Sequence, residues 1–413
     1  MPYANEYTVE LTSFVYGGEC MGRLPDGRAV FIPYTLPGER VRARLVEEKP
    51  HFARAALLEV LSPAPQRMTP RCPHFTVCGG CHYQHLDYTQ QVTVKEEILR
   101  QQLQRIAGIA NPPLMAMQPS PQAWNYRNSA QFHLTPRGKL GFQAAGSHDV
   151  VEIGECHLLD AWLEDAWRSL DIEGTDIHLV ETRCNAAGDV LVILHGNEAQ
   201  PPSLYLDIPF SVVHISPYGE VILAGENHLA QVVADRSFSV SAASFFQINT
   251  PQAEAMVSFV LACLPDLGGA SVMDVYCGVG LFSAFLAPQA HRVIGIESSP
   301  SACLDFAINL NEFDNVVLYE GAAERILPAL NEHIDIVIVD PPRSGLASKA
   351  LNALLNLSPP LLVYVSCDPS TLARDAKRLL AGGYHLQQVQ PFDMFPQTHH
   401  IESISLFECF SDR

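Results

Sequence analysis

From about Gln252 onward, short apolar runs alternate with helix-compatible segments, and few folds accommodate that pattern. SVMDVYC, RVIGIES, NVVLYEG, IDIVIVDPP and LLVYVSCDP read as strands, and PQAEAMVSFVLACL, SACLDFAINLNEF and STLARDAKRLLAG read as helices. Strands that are apolar throughout need both faces covered, and interleaved helices supply the cover. The expected architecture is therefore a doubly wound, mostly parallel α/β sheet. Ligands in such sheets bind outside the carboxyl ends of the strands, so the residues at those ends carry the functional reading.

Three ends stand out. DVYCGVGLFSAFLA follows the first strand, and its Gly278 and Gly280 permit a tight turn and close backbone approach to a ligand. The third glycine of the dinucleotide fingerprint is missing, because Ser283 stands in its place. Glu297 ends the next strand, where a carboxylate can accept both ribose hydroxyls of an adenosine. Together these features favour S-adenosylmethionine over a nicotinamide cofactor. Asp340 ends IDIVIVD ahead of two prolines that stiffen the exit; alone it reads as an ordinary turn residue. Cys367 ends LLVYVSC, just before a helix expected to begin at Ser370. Core filler is the ordinary fate of a free cysteine, whereas a thiolate within reach of a substrate is a nucleophile. The dipole of the following helix can lower the Cys367 pKa, and the negative charge of Asp368 works against it, which leaves the size of any shift open.

Two more segments carry candidate residues. Glu402 follows Ile401 and two histidines ahead of the strand SISLF, so burial would raise its pKa; His399 and His400 read as turn residues. AASFFQINT presents Phe245, Phe246 and the bifunctional amide of Gln247, with core packing the ordinary role of the two rings.

The first part of the chain differs in character. Between about Tyr7 and Leu61, strand-like runs punctuated by Gly17, Gly18, Gly22 and Pro37-Gly38 suggest a five-stranded barrel, taken as residues 1–62. SPAPQRMTP reads as a linker. Residues 63–235 read as an α+β region with an antiparallel sheet and a helix from Tyr88 to about Ala107, and residues 236–413 as the α/β domain. CPHFTVCGGCHYQ places Cys72, Cys78 and Cys81 at Cys-x5-Cys-x2-Cys spacing, with Cys156 as the natural fourth thiol. Eleven cysteines in a long chain argue for metal ligands or reactive thiols rather than disulfides. Zinc and an iron–sulfur cluster are both open, and three-plus-one thiolates suit a [4Fe–4S] cluster better than paired zinc motifs do.

A hydrophobic share of 47% against 17% charged residues describes an ordinary globular chain, and no run nears the 18 apolar residues of a membrane span. The start of the chain lacks a secretory layout, so the cytoplasm is expected. A net charge of −19 gives no bulk attraction to a polyanion, so any RNA contact must come from local cations. Arg40, Arg42, Arg44, Arg54, Arg127, Arg137 and Lys139 are the candidates, most of them readable as solvated surface.

In order along the chain, CPxFxxCGGCxxQ, SFFQIN, DVYCGVGLFS, DPPRSGL, VSCDPSTLARD and HHIES resemble the RNA uracil-5-methyltransferases. The similarity is greatest to bacterial 23S rRNA members with an N-terminal TRAM barrel and a [4Fe–4S] cluster. The resemblance covers essentially the whole chain. It implies a Rossmann-like S-adenosylmethionine-dependent domain, Cys367 as nucleophile and Glu402 as base. Gln247, Tyr276, Glu297 and Asp340 would surround the methyl donor and the target base, with Gly278 and Gly280 in the donor loop. Phe245 would stack on an unpaired base, and Cys72, Cys78, Cys81 and Cys156 would hold the cluster. The partner implied is RNA, rRNA before the tRNA T-loop, with no obligatory protein partner. One departure is visible: Leu281 stands where the family commonly has Asn. Methylation of protein or of a small molecule, and a non-catalytic iron–sulfur RNA-binding module, are the competing readings. A radical enzyme is disfavoured because the Cys-x3-Cys-x2-Cys spacing is absent.

Overall fold

The structure is a computed structural model that describes residues 5–170, 172, 176–201 and 209–409. Two compact units interleave along the chain. One comprises Met1–Ile98, Phe142–His157 and Phe395–His400; the other comprises Leu99–Gly141, Leu158–Met394 and Ile401–Arg413.

The first unit begins with a barrel. Strands β1 (Glu6–Val15), β2 (Glu19–Arg23), β3 (Ala29–Pro33), β4 (Arg40–Glu48) and β5 (Phe52–Ser62) close in the order β1-β2-β3-β5-β4, as expected. Alternate residues face inward: Val9 and Leu11, Val30 and Ile32, Val41, Ala43 and Leu45, then Ala53 and Ala55 fill the barrel. The other face of β4 carries Arg40, Arg42 and Arg44. Arg42 is held by Glu6 and Glu59, each at 3.0 Å, and Arg54 lies 3.7 Å from Glu19. Two of the cations expected for RNA are thus already paired with carboxylates.

The proline-rich stretch after the barrel is not the free spacer that its composition suggests. Glu39 is fully buried and accepts from the Leu36 and Ala64 amides and from both Arg67 Nε and Nη2, while Arg67 also donates to the Tyr34 carbonyl. Leu36, Ala64 and Leu86 then pack together. Helix α1 (Tyr88–Gln102) follows and ends sooner than expected, in a wider turn at Leu103–Ala107 closed by Gly108 at φ +78°.

Strands β6 (Ser129–Leu134), β7 (Leu140–Gln143) and β8 (Val150–Glu152) come next, then helix α2 (Ala161–Ser169). In the second unit β6 and β7 join β9 (Leu179–Cys184), β10 (Val190–His195), β11 (Ser211–Ser216) and β12 (Gly219–Ala224) in the order β12-β11-β10-β9-β6-β7. The pairing is antiparallel except between β10 and β11, which run parallel. The antiparallel expectation fails at that one pair of described strands. A hairpin, β13 (His228–Val233) and β14 (Arg236–Ser241), leads to helix α3 (Thr250–Cys263).

The α/β sheet follows. Its strands are β15 (Ser271–Val275), β16 (Arg292–Glu297), β17 (Val316–Glu320), β18 (Ile336–Val339), β19 (Leu361–Ser366), β20 (Tyr384–Phe392) and β21 (Glu402–Cys409). Helices α4 (Leu281–Leu286), α5 (Pro300–Asn309), α6 (Ala323–Ile326), α7 (Ser348–Leu357) and α8 (Pro369–Ala381) separate the parallel strands and lead into β20. The order is β17-β16-β15-β18-β19-β21-β20. The first five strands are parallel, and β21 lies antiparallel between β19 and β20. Strand order reverses at β15, whose neighbours are β16 and β18, so the crevice for a ligand opens at their carboxyl ends. Every residue of β18 and β19 is buried, as strands covered on both faces must be.

Gly280 caps α4 at φ +92°, and a Cβ there would stand 2.5 Å from Leu310 Cδ1 and 2.9 Å from Phe306 Cδ2. We expect Gly280→Ala to cost about 1–3 kcal/mol by overpacking and backbone strain, read as a lowered denaturation midpoint. An unchanged midpoint would show that Phe306 and Leu310 have room to yield.

Candidate active site

The direction of β21 assembles the site. Parallel strands β18 and β19 deliver Asp340 and Cys367 just past their carboxyl ends. Because β21 runs the other way, its first residue, Glu402, starts at that same edge. The register pairs Ser366 with Ser403, so Cys367 and Glu402 occupy the next positions on neighbouring strands. Asp340 continues β18, its amide donating to the Val275 carbonyl at 3.1 Å. Three sequence-predicted residues thus meet at one edge.

Their surroundings favour neutral forms. Burial, then the nearby carboxyls of Glu402, Asp340 and Asp368, pushes the Cys367 thiol up to about 12, against the opposing pull of Arg343. Glu402 is raised well above the usual carboxylate range, first by burial and then by Asp340, again with Arg343 opposing. Asp340 is pushed up to about 7 by burial and by Asp274. The balance between helix dipole and Asp368 that the sequence leaves open thus falls on the raising side. Helix α8 begins at Pro369, and its exposed amides are already engaged: the Asp368 carboxylate accepts from the Ser370 and Thr371 N–H groups, each at 2.9 Å. The cap spends the positive end of the dipole on itself and leaves a negative charge beside the thiol.

The donor loop lies one strand over. Tyr276 leaves β15 in the left-handed region at φ +65°, as does Gly278 at φ +54°. The Tyr276 hydroxyl donates to Glu324, 3.4 Å away. Glu297 accepts from the Gly278 amide at 2.9 Å through one oxygen and from the Ser298 and Ser299 amides through the other. Its place at the end of β16 is as expected, with both oxygens fixed by backbone donors. Leu281 is buried at the first turn of α4, so the residue in the Asn position points into the core.

Phe245 and Gln247 sit on the loop between β14 and α3. Phe245 is 71% exposed, whereas Phe246 packs on Phe238 with ring centroids 5.9 Å apart. The Gln247 carbonyl accepts from Asn128 Nδ2 at 3.0 Å.

Cys72, Cys78, Cys81 and Cys156 all fall in the first unit, each partly buried. Among the described residues no group of three or more His, Cys, Asp or Glu stands close enough to hold a metal ion. The expected metal centre is therefore not assembled as a convergent ligand set. Some amides do face these sulfurs: the Gly80 amide donates to Cys78 Sγ at 3.4 Å, and the His74 and Phe75 amides donate toward Cys72, whose thiol burial nonetheless pushes up.

Two groups escaped the sequence reading. Arg343, in DPPRSGL, is the cation that opposes the raised pKa of both Cys367 and Glu402; α8 steadies its backbone through Thr371 Oγ1, 3.2 Å from the Arg343 carbonyl. Asp274 lies fully buried beneath the donor loop, accepts from the Ser283 amide and hydroxyl, and is raised to about 6 by burial. An acid inside the otherwise apolar SVMDV was the available signal for it.

A thiol raised to about 12 gains thiolate about tenfold with each pH unit below that value. We expect iodoacetamide to alkylate Cys367 slowly at neutral pH and progressively faster into the alkaline range, as followed by peptide mass spectrometry. A plateau below pH 9 would contradict the electrostatics described.

A family model described as tRNA (Uracil-5-)-methyltransferase matches residues 219–409, and a TRAM domain model matches residues 5–58. An uncharacterized RNA methyltransferase of Aquifex aeolicus is 35% identical, covering 97% of each chain. One of Halalkalibacterium halodurans is 34% identical, covering 93% of each. Among solved structures, the Pyrococcus abyssi tRNA (uracil-54, C5)-methyltransferase in complex with S-adenosyl-L-homocysteine covers 97% of this chain at 24% identity with a TM-score of 0.75, a likeness of fold. The chain belongs to the S-adenosylmethionine-dependent RNA uracil-5-methyltransferase family.

Proposed function

We propose that the protein methylates carbon 5 of a uridine in RNA through a covalent adduct between Cys367 and carbon 6 of the base. What supports this reading is a thiol and two carboxyl groups at the carboxyl edge of one sheet, in a chain of this family. Carbon 5 of uracil is too weak a nucleophile to take a methyl group from a sulfonium unaided. Addition of the Cys367 sulfur to carbon 6, with loss of the thiol proton, pushes an electron pair through the ring and makes carbon 5 nucleophilic. S-adenosylmethionine supplies, when bound, an electrophilic methyl group and a positive charge. When carbon 5 takes the methyl group, the bond from that methyl to the sulfonium sulfur breaks and S-adenosylhomocysteine is the leaving group; the Glu402 carboxylate then takes the carbon 5 proton, the carbon 6–sulfur bond breaks, and the Cys367 thiolate is restored. A cation arriving at this edge favours the ionised forms of Cys367 and Glu402 that these steps require. Asp340 and Gln247 are the polar groups assigned to the uracil edge, and Phe245 the stacking face for a base drawn out of its helix.

In this reading residues 236–413 are the transferase domain, residues 63–235 the central domain and residues 1–62 the RNA-holding barrel. The four cysteines are assigned a [4Fe–4S] cluster with a structural role. The target carried forward is a uridine of 23S rRNA, on the likeness of the barrel and cysteine loop to rRNA enzymes. A second reading, the tRNA T-loop, is favoured by the description of the matching family and by what the Pyrococcus abyssi protein modifies.

Cys367→Ala is expected to abolish methyl transfer while S-adenosylhomocysteine still binds by calorimetry; retained turnover would remove the adduct from the mechanism. Glu402→Gln should accumulate methylated RNA covalently joined to protein on denaturing gels. Mapping 5-methyluridine in cells with and without the gene identifies the target: loss at an rRNA site supports the first reading, and loss confined to tRNA supports the second. Protein purified without oxygen should carry about four irons and four sulfides per chain, and replacing Cys78 should remove them; an iron-free folded protein would end the cluster assignment.

A further inference from the structure

The loop that presents Phe245 is built around a guanidinium with no part in the chemistry described so far. Arg183, on β9, has a side chain only 12% exposed. It donates through Nη1 to the Ser241 carbonyl at 3.1 Å and the Ser244 carbonyl at 2.6 Å, and through Nη2 to the Ala242 carbonyl at 3.0 Å. Its Nε donates to Glu181, whose side chain is 9% exposed and which also accepts from Gln131 Nε2 at 3.1 Å. The ion pair is thus buried with its hydrogen-bonding groups engaged, the condition under which such a pair is tolerated.

The three carbonyls belong to the turn that leaves β14 and runs into Phe245. That turn is tied from its far side as well. Asp305 accepts from the Ser241 amide and hydroxyl, and the Ser244 and Ser301 hydroxyls lie 2.7 Å apart. At Gln247 the chain is gripped again: Asn128 Nδ2 donates to the Gln247 carbonyl at 3.0 Å, and the Asn128 amide donates to the Ile248 carbonyl at 3.0 Å. Only Phe245 to Gln247 span the gap between the anchors, with one ring outward and one inward. An exposed ring held in this way meets a base without first losing conformational freedom.

We propose that Arg183 is a positioning residue for the base-stacking loop, gathering the Ser241, Ala242 and Ser244 carbonyls so that Phe245 and Gln247 are preset for an unpaired uridine. The proposal rests on the functional reading above. It also explains the residue type, since only a planar fork can serve three carbonyls and a carboxylate together; a lysine carries the charge without that geometry.

The test compares Arg183→Met and Arg183→Lys with Phe245→Ala and with the Arg183→Met, Phe245→Ala double variant in the full-length protein. Amide exchange over Phe245–Ile248 should rise about tenfold in both Arg183 variants while exchange within α3 is unchanged. Methylation of a uridine-containing RNA should fall by about 100-fold in kcat/KM, mostly through KM, with S-adenosylhomocysteine affinity retained. The Phe245→Ala loss should shrink in the Arg183→Met background, because the two act as one unit. Should Arg183→Met fail to fold, Arg183→Lys carries the same measurements. Wild-type exchange at Phe245–Ile248 in the variants, full rescue by lysine, or losses that simply multiply would each overturn the proposal. If the wild-type protein leaves uridine unmethylated, the functional reading fails by itself, and the exchange experiment still decides whether Arg183 holds the loop.

Discussion

A strand that runs against its neighbours is the constraint on which the site depends. Parallel strands alone place residues from strand ends at one edge, and a residue that opens a strand would fall at the opposite one. The antiparallel insertion of β21 between β19 and β20 reverses that sense once, so that Glu402 begins where Cys367 ends. The β19–β21 ladder, which pairs Ser366 with Ser403, sets the register of thiol and carboxyl. A slip of one residue would turn every β21 side chain to the other face of the sheet, and the buried Ile404 and Phe407 resist it.

The second organising force is electrostatic. Burial draws Asp274, Asp340 and Glu402 toward neutrality, with Asp274 adding to the effect at Asp340 and Asp340 at Glu402, and burial with the Glu402 and Asp340 carboxyls suppresses the thiolate of Cys367. A resting site of this kind is unreactive, and Arg343 supplies the opposing charge. Under the proposed mechanism, the reactivity of Cys367 then depends on what binds.

Much of this was legible in the amino-acid order. Continuous apolar runs ending in Asp340 and Cys367 announced a parallel sheet and its functional edge, and alternation from Tyr7 announced the barrel. The direction of the Cys367 shift stayed open because a sequence shows that a helix follows but not that Asp368 folds back onto its first amides. The free linker was misread because composition cannot show that Glu39, more than twenty residues upstream of Arg67, receives its guanidinium. Spatial units that interleave, with 142–157 and 395–400 joining the N-terminal one, are likewise invisible to a reading made in chain order. Arg183 carried no signal at all, since a single arginine in TDIHLVETRCN looks like surface.

The clasp between Glu39 and Arg67 has a mechanical consequence. With Ala64 and Leu86 packed on Leu36, and Tyr83 meeting Phe14 edge to face at 5.8 Å, the barrel and the cysteine loop belong to one packed unit. If the barrel holds RNA as proposed, the cysteine loop lies beside that RNA as part of the same packed unit. Damage to the cysteine loop would then be felt as a loss of grip by a barrel whose own residues are all intact.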